Sequence, residues 1–141
     1  VLMDGTYYGS KVAAEKMLAD GTEGAIVNVS SVLGFEGYAN QVPYSASKGA
    51  VRIMTYAMAA DLGPQSRANA TPPGLTDTAM AATDAQRVGT EVEEQFWEKM
   101  PLERTADPEE IGDAAVYLAS DMASFVTGAS LLVDGGLTNT G

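Results

Sequence analysis

The chain contains neither cysteine nor histidine. Without cysteine it can form no disulfide and no thiolate metal site. Without histidine it lacks the commonest metal ligand and the commonest general base near neutral pH. We therefore expect no metal site, and any proton transfer must use tyrosine, lysine, aspartate or glutamate.

Basic residues are also scarce. There are 8 lysines and arginines against 19 aspartates and glutamates, which gives a net charge of −11. Nucleic acids and anionic membranes bind basic protein surfaces, so neither is expected as a partner. No apolar run approaches the ~20 residues that cross a bilayer, and no signal-like segment opens the sequence, so the expected location is the cytoplasm.

The sequence does have enough apolar residues for a folded domain. Of its 141 residues, 45% are hydrophobic, which suits a single globular domain with a core. Short apolar segments alternate with longer amphipathic segments along the chain. This alternation is typical of βαβ units and predicts an α/β fold with a parallel sheet.

Three strands are predicted. The clearest is residues 25–29, a run of apolar, β-branched residues that follows a glycine. A second is expected at 67–71, but its residues have little β-propensity and Pro72 removes a backbone donor, so we expect it to be weak or irregular. A third is predicted at 129–133. The predicted helices are 5–19, 44–62, the acidic segment 84–100 and a helix that begins at Pro108.

The end of the first strand carries residues suited to proton transfer. Ser30 and Ser31 follow it, a glycine-rich loop comes next, and the following helix carries Tyr44 and Lys48. A spacing of four places these two side chains on one helix face. The carboxyl ends of strands are where open α/β sheets bind ligands, and a phenol beside an ammonium can exchange protons.

The Tyr-x-x-x-Lys spacing is a weak signal by itself, because it occurs twice in the chain. The first pair, Tyr7 and Lys11, follows no serine-bearing strand end. We interpret it as a helix-packing tyrosine and a solvated lysine. The second pair, Tyr44 and Lys48, is distinguished by the strand end and loop that precede it.

Six blocks of sequence occur in a recognisable order: GTYYGSKVA, GAIVNVSSVLG, YSASKGAV, NATPPGLTDTAM, PLERTADPEEIGDAAVYLASD and FVTGASLLVDGG. Together they resemble the short-chain dehydrogenase/reductase family, in particular 3-oxoacyl-acyl-carrier-protein reductases and related alcohol dehydrogenases. The likeness covers nearly the whole chain. It implies that residues 1–141 are the C-terminal portion of one NAD(P)-binding Rossmann-fold domain, with a partial, doubly wound parallel sheet of three strands and flanking helices.

The resemblance implies an oxidoreductase that moves hydride between NAD or NADP and a secondary alcohol or ketone. Tyr44 would be the general acid and base on the substrate oxygen, Ser31 would hydrogen-bond that oxygen, and Lys48 would bind the nicotinamide ribose. A free phenol has a pKa near ~10, so this chemistry near neutral pH needs ~4 kcal/mol of help, for which a neighbouring ammonium is the expected source. We interpret Ser30 as a hydroxyl that stabilises the turn.

The resemblance also implies cofactor contacts after the second strand, where a Pro-Gly pair turns the chain so that backbone groups can meet the nicotinamide carboxamide. The residues assigned to cofactor binding are Tyr44, Lys48, Pro73, Gly74, Leu75, Thr76 and Thr78. The implied partners are a small-molecule alcohol or ketone and further copies of the chain in a homo-oligomer, as a dimer or tetramer.

Two departures of the sequence from the family matter most; a third, milder one is the second strand, which is a residue short. The glycine-rich turn for the cofactor pyrophosphate would belong to a segment of roughly 100 residues before Val1, and Leu2 stands where the family has a catalytic asparagine. Without that segment the first strand would have an open edge, so we expect the isolated chain to be marginally stable or to associate. The alternative function is an inactive fragment that acts only as an assembly module.

Overall fold

The computed structural model describes residues 2–81, 83 and 99–140. Its helices and strands, in chain order, are α1 (Leu2–Asp20), β1 (Gly24–Val29), α2 (Val42–Leu62), β2 (Ser66–Thr71) and α3 (Pro108–Ala119), with short 3-10 turns at Val32–Gly34 and Asp121–Ala123. The predictions of α1, α2 and α3 are confirmed, with starts that differ by at most three residues. The helix predicted at 84–100 lies outside the described residues except for its last two positions.

β1 and β2 form a parallel sheet, as predicted. They pair from Gly24 opposite Ser66 to Val29 opposite Thr71, and α2 connects them and packs on both. The expectation that the second strand would be weak or irregular is wrong on this side of the sheet. Five of the six β2 residues are buried, and burial between neighbours outweighs the low β-propensity of small side chains.

The predicted third strand, residues 129–133, pairs with β2 through isolated bridges and not as a continuous strand. Ala70 bridges Ser130 and Pro73 bridges Val133, both in the parallel sense. Within the described residues the continuous sheet therefore has two strands, and the third segment adds an interrupted ladder at the far edge of β2.

Pro72 explains the interruption. Leu131 N–H donates to the carbonyl of Ala70 at 2.9 Å, and Val133 N–H donates to the carbonyl of Pro72 at 3.2 Å. Between these two bonds, a parallel ladder needs an N–H from residue 72 to the carbonyl of Leu131, which proline cannot supply. The hydroxyl of Thr71 makes a long contact of 3.5 Å with that carbonyl instead.

A buried polar chain joins α1, β1 and α2. The Ser10 hydroxyl donates to the side-chain oxygen of Asn28 at 3.0 Å, and the Asn28 amide donates to the Thr55 hydroxyl at 3.0 Å. The Thr55 hydroxyl in turn donates to the carbonyl of Val51. All three side chains are buried, so their hydrogen bonds fix how the two helices sit on the strand, because an unmade bond would leave a desolvated polar group.

An apolar cluster packs beside this chain. Its buried members are Ile26, Ala59, Leu62 and Ala68, and partly buried residues of α1 and α2 surround them.

No helix within the described residues combines the length and the hydrophobicity needed to cross a membrane.

The second edge of β1 has no strand beside it among the described residues. Ser30 N–H and Val32 N–H donate to the β2 side, to the carbonyls of Thr71 and Pro73. Successive residues of a strand direct their backbone groups to opposite edges. The backbone groups of Val29 therefore face the open edge.

Candidate active site

Three consecutive residues at the end of β1 are fixed by contacts with α2 and with the following loop. The carbonyl of Val29 accepts a hydrogen bond from Lys48 Nζ at 3.0 Å. The hydroxyl of Ser30 donates to the main-chain carbonyl of Lys48 at 2.8 Å. The hydroxyl of Ser31 accepts from the N–H of Leu33 at 3.2 Å, as the cap of the 3-10 turn. Lys48 is thus held against the strand end that presents Ser31.

Tyr44 lies one turn before Lys48 on α2, and the spacing brings the two side chains together as predicted. Lys48 Nζ lies 5.7 Å from the centre of the Tyr44 ring. Both residues are half-buried. The helix begins at Val42 with Pro43 in its first turn, a position where the fixed φ of proline favours helix and its missing N–H costs nothing. The phenol therefore sits at the helix start, beside the loop that follows β1.

The Lys48 ammonium is a partly desolvated cation. Burial lowers its pKa below the ordinary value of 10.5, because removal from water disfavours the charged form. The ion pairs among the described residues involve Lys11, Lys16 and Arg104, and none involves Lys48. An ammonium has three donors, and the Val29 carbonyl takes one. The remaining donors suit hydroxyl groups of a ligand.

Ser30 is not the turn-stabilising hydroxyl that we expected. Its hydroxyl reaches across to α2, 18 residues along the chain, and the backbone there is in close contact with the loop. A Cβ atom built on Gly34 would lie 2.9 Å from the carbonyl carbon and oxygen of Lys48 and 3.0 Å from Ser30 Oγ. Only glycine allows this approach without a shift of the backbone.

The assigned cofactor residues Pro73 and Gly74 follow β2 and lie beside the same loop. The carbonyl of Pro73 accepts from the N–H of Val32, next to Ser31, at 3.1 Å. A Cβ atom on Gly74 would lie 2.8 Å from Cα of Asp134, so glycine is required where the chain passes the C-terminal segment. The ends of both strands thus meet around one loop.

Residues 75–77 pair with Ala106 through two backbone hydrogen bonds, and we call this pairing the neck. The carbonyl of Leu75 accepts from the N–H of Ala106 at 2.9 Å, and the N–H of Asp77 donates to the carbonyl of Ala106 at 2.9 Å. The Thr76 hydroxyl donates to the carbonyl of Gly74 at 3.3 Å. Thr76 is therefore tied to the turn, which is a requirement for backbone groups that would orient a ligand.

Thr78 lies beyond this neck. Its hydroxyl accepts the N–H of Ala81 at 3.2 Å, which caps the helical turn that follows. The structure therefore brings Tyr44 and Lys48 together and bonds Lys48 to the end of β1, two residues before Ser31. It connects Pro73 to the same loop through Val32, and it leaves Thr78 without a described contact to these residues.

A small cavity of about 60 Å³ lies behind the neck, where Leu75, Met100, Ala106 and Val133 contribute to its lining. Neither Ser31 nor the Tyr44 and Lys48 pair lines it. A cavity of this size is below the range of ligand pockets, so we do not consider it a candidate ligand site.

Known proteins resemble this chain over nearly its whole length. The family model described as "Enoyl-(Acyl carrier protein) reductase" matches residues 1–138. The trans-4-hydroxycyclohexanecarboxylate dehydrogenase of Sinomonas cyclohexanicum is 39% identical over 137 residues, which are 96% of this chain and 49% of that protein. The 3-oxoacyl-[acyl-carrier-protein] reductase of Aquifex aeolicus is 35% identical over 138 residues, 97% of this chain and 54% of that protein.

Among solved structures, a putative 2-deoxy-D-gluconate 3-dehydrogenase from Agrobacterium tumefaciens, with bound NADP, superposes with a TM-score of 0.89. It is 33% identical, and the match covers 97% of this chain and 55% of that one. The fold is that of a Rossmann-type domain. The chain belongs to the short-chain dehydrogenase/reductase family, and it spans about half the length of the relatives it matches.

The sequence did not predict that the Ser30 hydroxyl bonds to the Lys48 carbonyl, or that the loop comes close to the Lys48 backbone at Gly34. The only sequence signal for either was a second serine before Ser31 and a glycine three residues after it. Neither signal names Lys48 as the partner, because that contact exists only once α2 has packed on the strand end.

Proposed function

We propose that the protein that contains this chain is an NAD(P)-dependent oxidoreductase that interconverts a secondary alcohol and a ketone. The observation that carries the proposal is the position of Lys48. Its ammonium is bonded to the last carbonyl of β1 at 3.0 Å, two residues from Ser31, and lies 5.7 Å from the centre of the Tyr44 ring. A phenol with a cation close to it can transfer a proton to a carbonyl oxygen, and a serine hydroxyl at the same strand end can hydrogen-bond that oxygen.

In the proposed reaction the phenol of Tyr44 gives its proton to the substrate oxygen, and takes it back when the alcohol is oxidised. The Ser31 hydroxyl donates a hydrogen bond to that oxygen as negative charge develops there. Its oxygen accepts the N–H of Leu33, which leaves the hydroxyl hydrogen available for this bond. Lys48 stabilises the phenolate through its positive charge. The nicotinamide, when bound, supplies or accepts the hydride.

The residues that would hold the nicotinamide end of the cofactor fit that role. Lys48 offers ammonium donors to ribose hydroxyls, and its backbone is fixed by Ser30 at 2.8 Å. Gly74 is a position where any side chain would meet Asp134, so the turn after β2 needs glycine to pass the C-terminal segment. The proposed contacts are Tyr44, Lys48, Pro73, Gly74, Leu75, Thr76 and Thr78.

The test is turnover followed by the absorbance of the reduced nicotinamide. The chain alone, and the chain fused behind the amino-terminal half of the NADP-bound Agrobacterium relative, are assayed with NADH and NADPH against a panel of ketones. We expect turnover in the fused protein. A folded fusion that binds NADPH and reduces none of the ketones would contradict the proposal.

A second function is favoured by the edge of β1 that has no strand beside it in the part of the chain that the structure describes. On this alternative the chain acts only as an assembly module, since open backbone groups can pair with a strand of another chain. It predicts that the chain associates and that the fusion shows no turnover. The assay above separates the two functions, because turnover by the chain itself or by the fusion is incompatible with an inactive module.

A further inference from the structure

Lys48 is held at both of its ends by consecutive residues of one strand end. Val29 accepts from the ammonium at 3.0 Å, and Ser30 donates to the main-chain carbonyl of the same lysine at 2.8 Å. A lysine side chain has several rotatable bonds and loses considerable entropy when it is fixed. Its position is fixed when its backbone and its ammonium are both hydrogen-bonded to the same element. Ser30 bonds to the backbone of Lys48 and Val29 bonds to its ammonium.

Ser30, which bonds to the Lys48 carbonyl, is buried inside the fold. The residue is 2% exposed, so its hydroxyl has no water to bond and depends on the Lys48 carbonyl for a partner. The loop comes so close at this point that a Cβ on Gly34 would lie 2.9 Å from the Lys48 backbone. Ser30 and Gly34 therefore act together. The Ser30 hydroxyl bonds the α2 backbone to the end of β1, and the absence of a side chain at Gly34 leaves room for that close contact.

We propose that Ser30, together with Gly34, is a positioning residue for Lys48, which keeps the ammonium on the Val29 carbonyl at the end of β1. Ser30 acts through Lys48 and touches neither substrate nor cofactor. Its importance for catalysis rests on the function proposed above. Its effect on Lys48 does not, because the position of the ammonium can be measured without turnover.

Ser10 offers a matched control. Its hydroxyl is also buried, at 5% exposure, and it also bonds to β1, through Asn28 at 3.0 Å. It reaches the strand from α1, however, and has no described contact with Lys48. Ser10→Ala and Ser30→Ala therefore each delete one buried hydroxyl, the first from α1 where it bonds to β1 and the second from the end of β1, and only the second deletion should change the titration of Lys48.

The experiment follows the titration of Lys48 by NMR in the full chain labelled with 13C at lysine Cε. The chain has lysines at 11, 16, 48 and 99, and the Lys48 signal is assigned by its loss in Lys48→Arg. In the wild type, burial keeps the Lys48 pKa below 10.5. We expect Ser30→Ala to move its midpoint upward toward 10.5, as the ammonium leaves the strand end for water. Ser10→Ala should leave the midpoint unchanged.

Gly34→Ala is the second variant, because it displaces the α2 backbone while the Ser30 hydroxyl is kept. It should shift the Lys48 midpoint in the same direction, and it decides the matter if Ser30→Ala does not fold. The proposal is overturned if a folded Ser30→Ala or Gly34→Ala protein titrates like the wild type, or if Ser10→Ala shifts Lys48 equally. Because no turnover is read, an inactive fusion protein would refute the proposed function and leave this result intact.

Discussion

The chain carries two tyrosine–lysine pairs with the same spacing, one on α1 and one on α2, and they differ in nearly every physical respect. Tyr7 is 43% exposed and its ring contacts only that of Tyr8 among the described aromatic pairs, with the centres 5.3 Å apart. Lys11 pairs with Glu15 on the helix surface. Tyr44 and Lys48 instead lie half-buried at the end of β1.

The partners of the two lysines account for the difference. Hydrogen bonding and charge attraction from Glu15 raise the pKa of Lys11, whereas desolvation lowers the pKa of Lys48. The interpretation of Lys11 as a solvated lysine is confirmed, and that of Tyr7 as a helix-packing tyrosine is wrong. A four-residue spacing thus aligns two side chains, but the element packed against them decides whether they form a surface pair or a candidate site.

The largest expected effect separates the two tyrosines by activity. In the fused protein described above, Tyr44→Phe should lower kcat by about 10²- to 10⁴-fold, the usual contribution of a general acid or base. Tyr7→Phe should leave kcat unchanged, because its hydroxyl lies on an exposed helix face. Equal losses in both variants would show that the spacing alone, and not the strand end, carries the chemistry.

The next effect concerns the side chain that ties both helices to β1. Asn28→Leu removes the partner of Ser10 in α1 and one partner of Thr55 in α2. We expect the free energy of unfolding to fall by about 1–3 kcal/mol, since buried polar groups lose their bonds. Urea unfolding measures the loss. A Ser10→Ala, Asn28→Leu double variant should fall less than the sum, and strict additivity would argue against a connected chain.

Stability against pH should separate the two lysines by sign. Lys48 has a lowered folded-state pKa, so its charged form opposes folding below that pKa, and this cost disappears as the pH rises toward 10.5. Lys11 has a raised pKa, so its contribution is present below 10.5 and is lost as the pH rises through the higher folded-state value.

Urea midpoints of Lys48→Met and Lys11→Met across this range provide the measurement. Relative to the wild type, Lys48→Met should be the more stable protein at neutral pH and should lose that advantage on titration. Lys11→Met should be slightly less stable at neutral pH, because exposed pairs contribute little. A shift of both variants in the same direction would remove the electrostatic distinction between the pairs.

The smallest effect is expected at a surface pair near the neck. Arg104 and the N–H of Asp107 hold the pKa of Glu110 down at about 2, from an ordinary 4.5. The stabilisation is therefore present above pH 4.5 and is lost as the pH falls toward 2. Glu110→Gln should flatten the acid side of the stability profile in that window, while Glu109→Gln, on the same helix turn, should not.

Much of the fold was predictable because the signals are local. α2 ends where Gly63 and Pro64 stop it, and α3 begins at Pro108 with Glu110 accepting the N–H of Asp107. β1 was predictable as an apolar run beside glycine. Tyr44 and Lys48 were predictable as a pair because a helix repeats every 3.6 residues.

β2 and its outer edge could not be predicted in this way. Ala68 and Asn69 have low β-propensity, and they form a strand because they are completely buried between neighbours. The break at Pro72 was foreseen for the strand as a whole, yet it affects only the side that faces residues 129–133. Which edge of a strand a proline interrupts depends on the order of strands in the sheet. The β-propensities of the residues carry no information about that order.

By itself the sequence determined the helices, the first strand, the acidic charge and the pairing of Tyr44 with Lys48, because each depends on residues within a few positions of one another. Tertiary structure alone decided that Ser30 hydrogen-bonds to the Lys48 carbonyl, that residue 34 must be glycine, and that the Val29 carbonyl accepts a hydrogen bond from the Lys48 ammonium. Those contacts join residues 14 to 19 positions apart, and only the packing of α2 against the end of β1 brings them within reach.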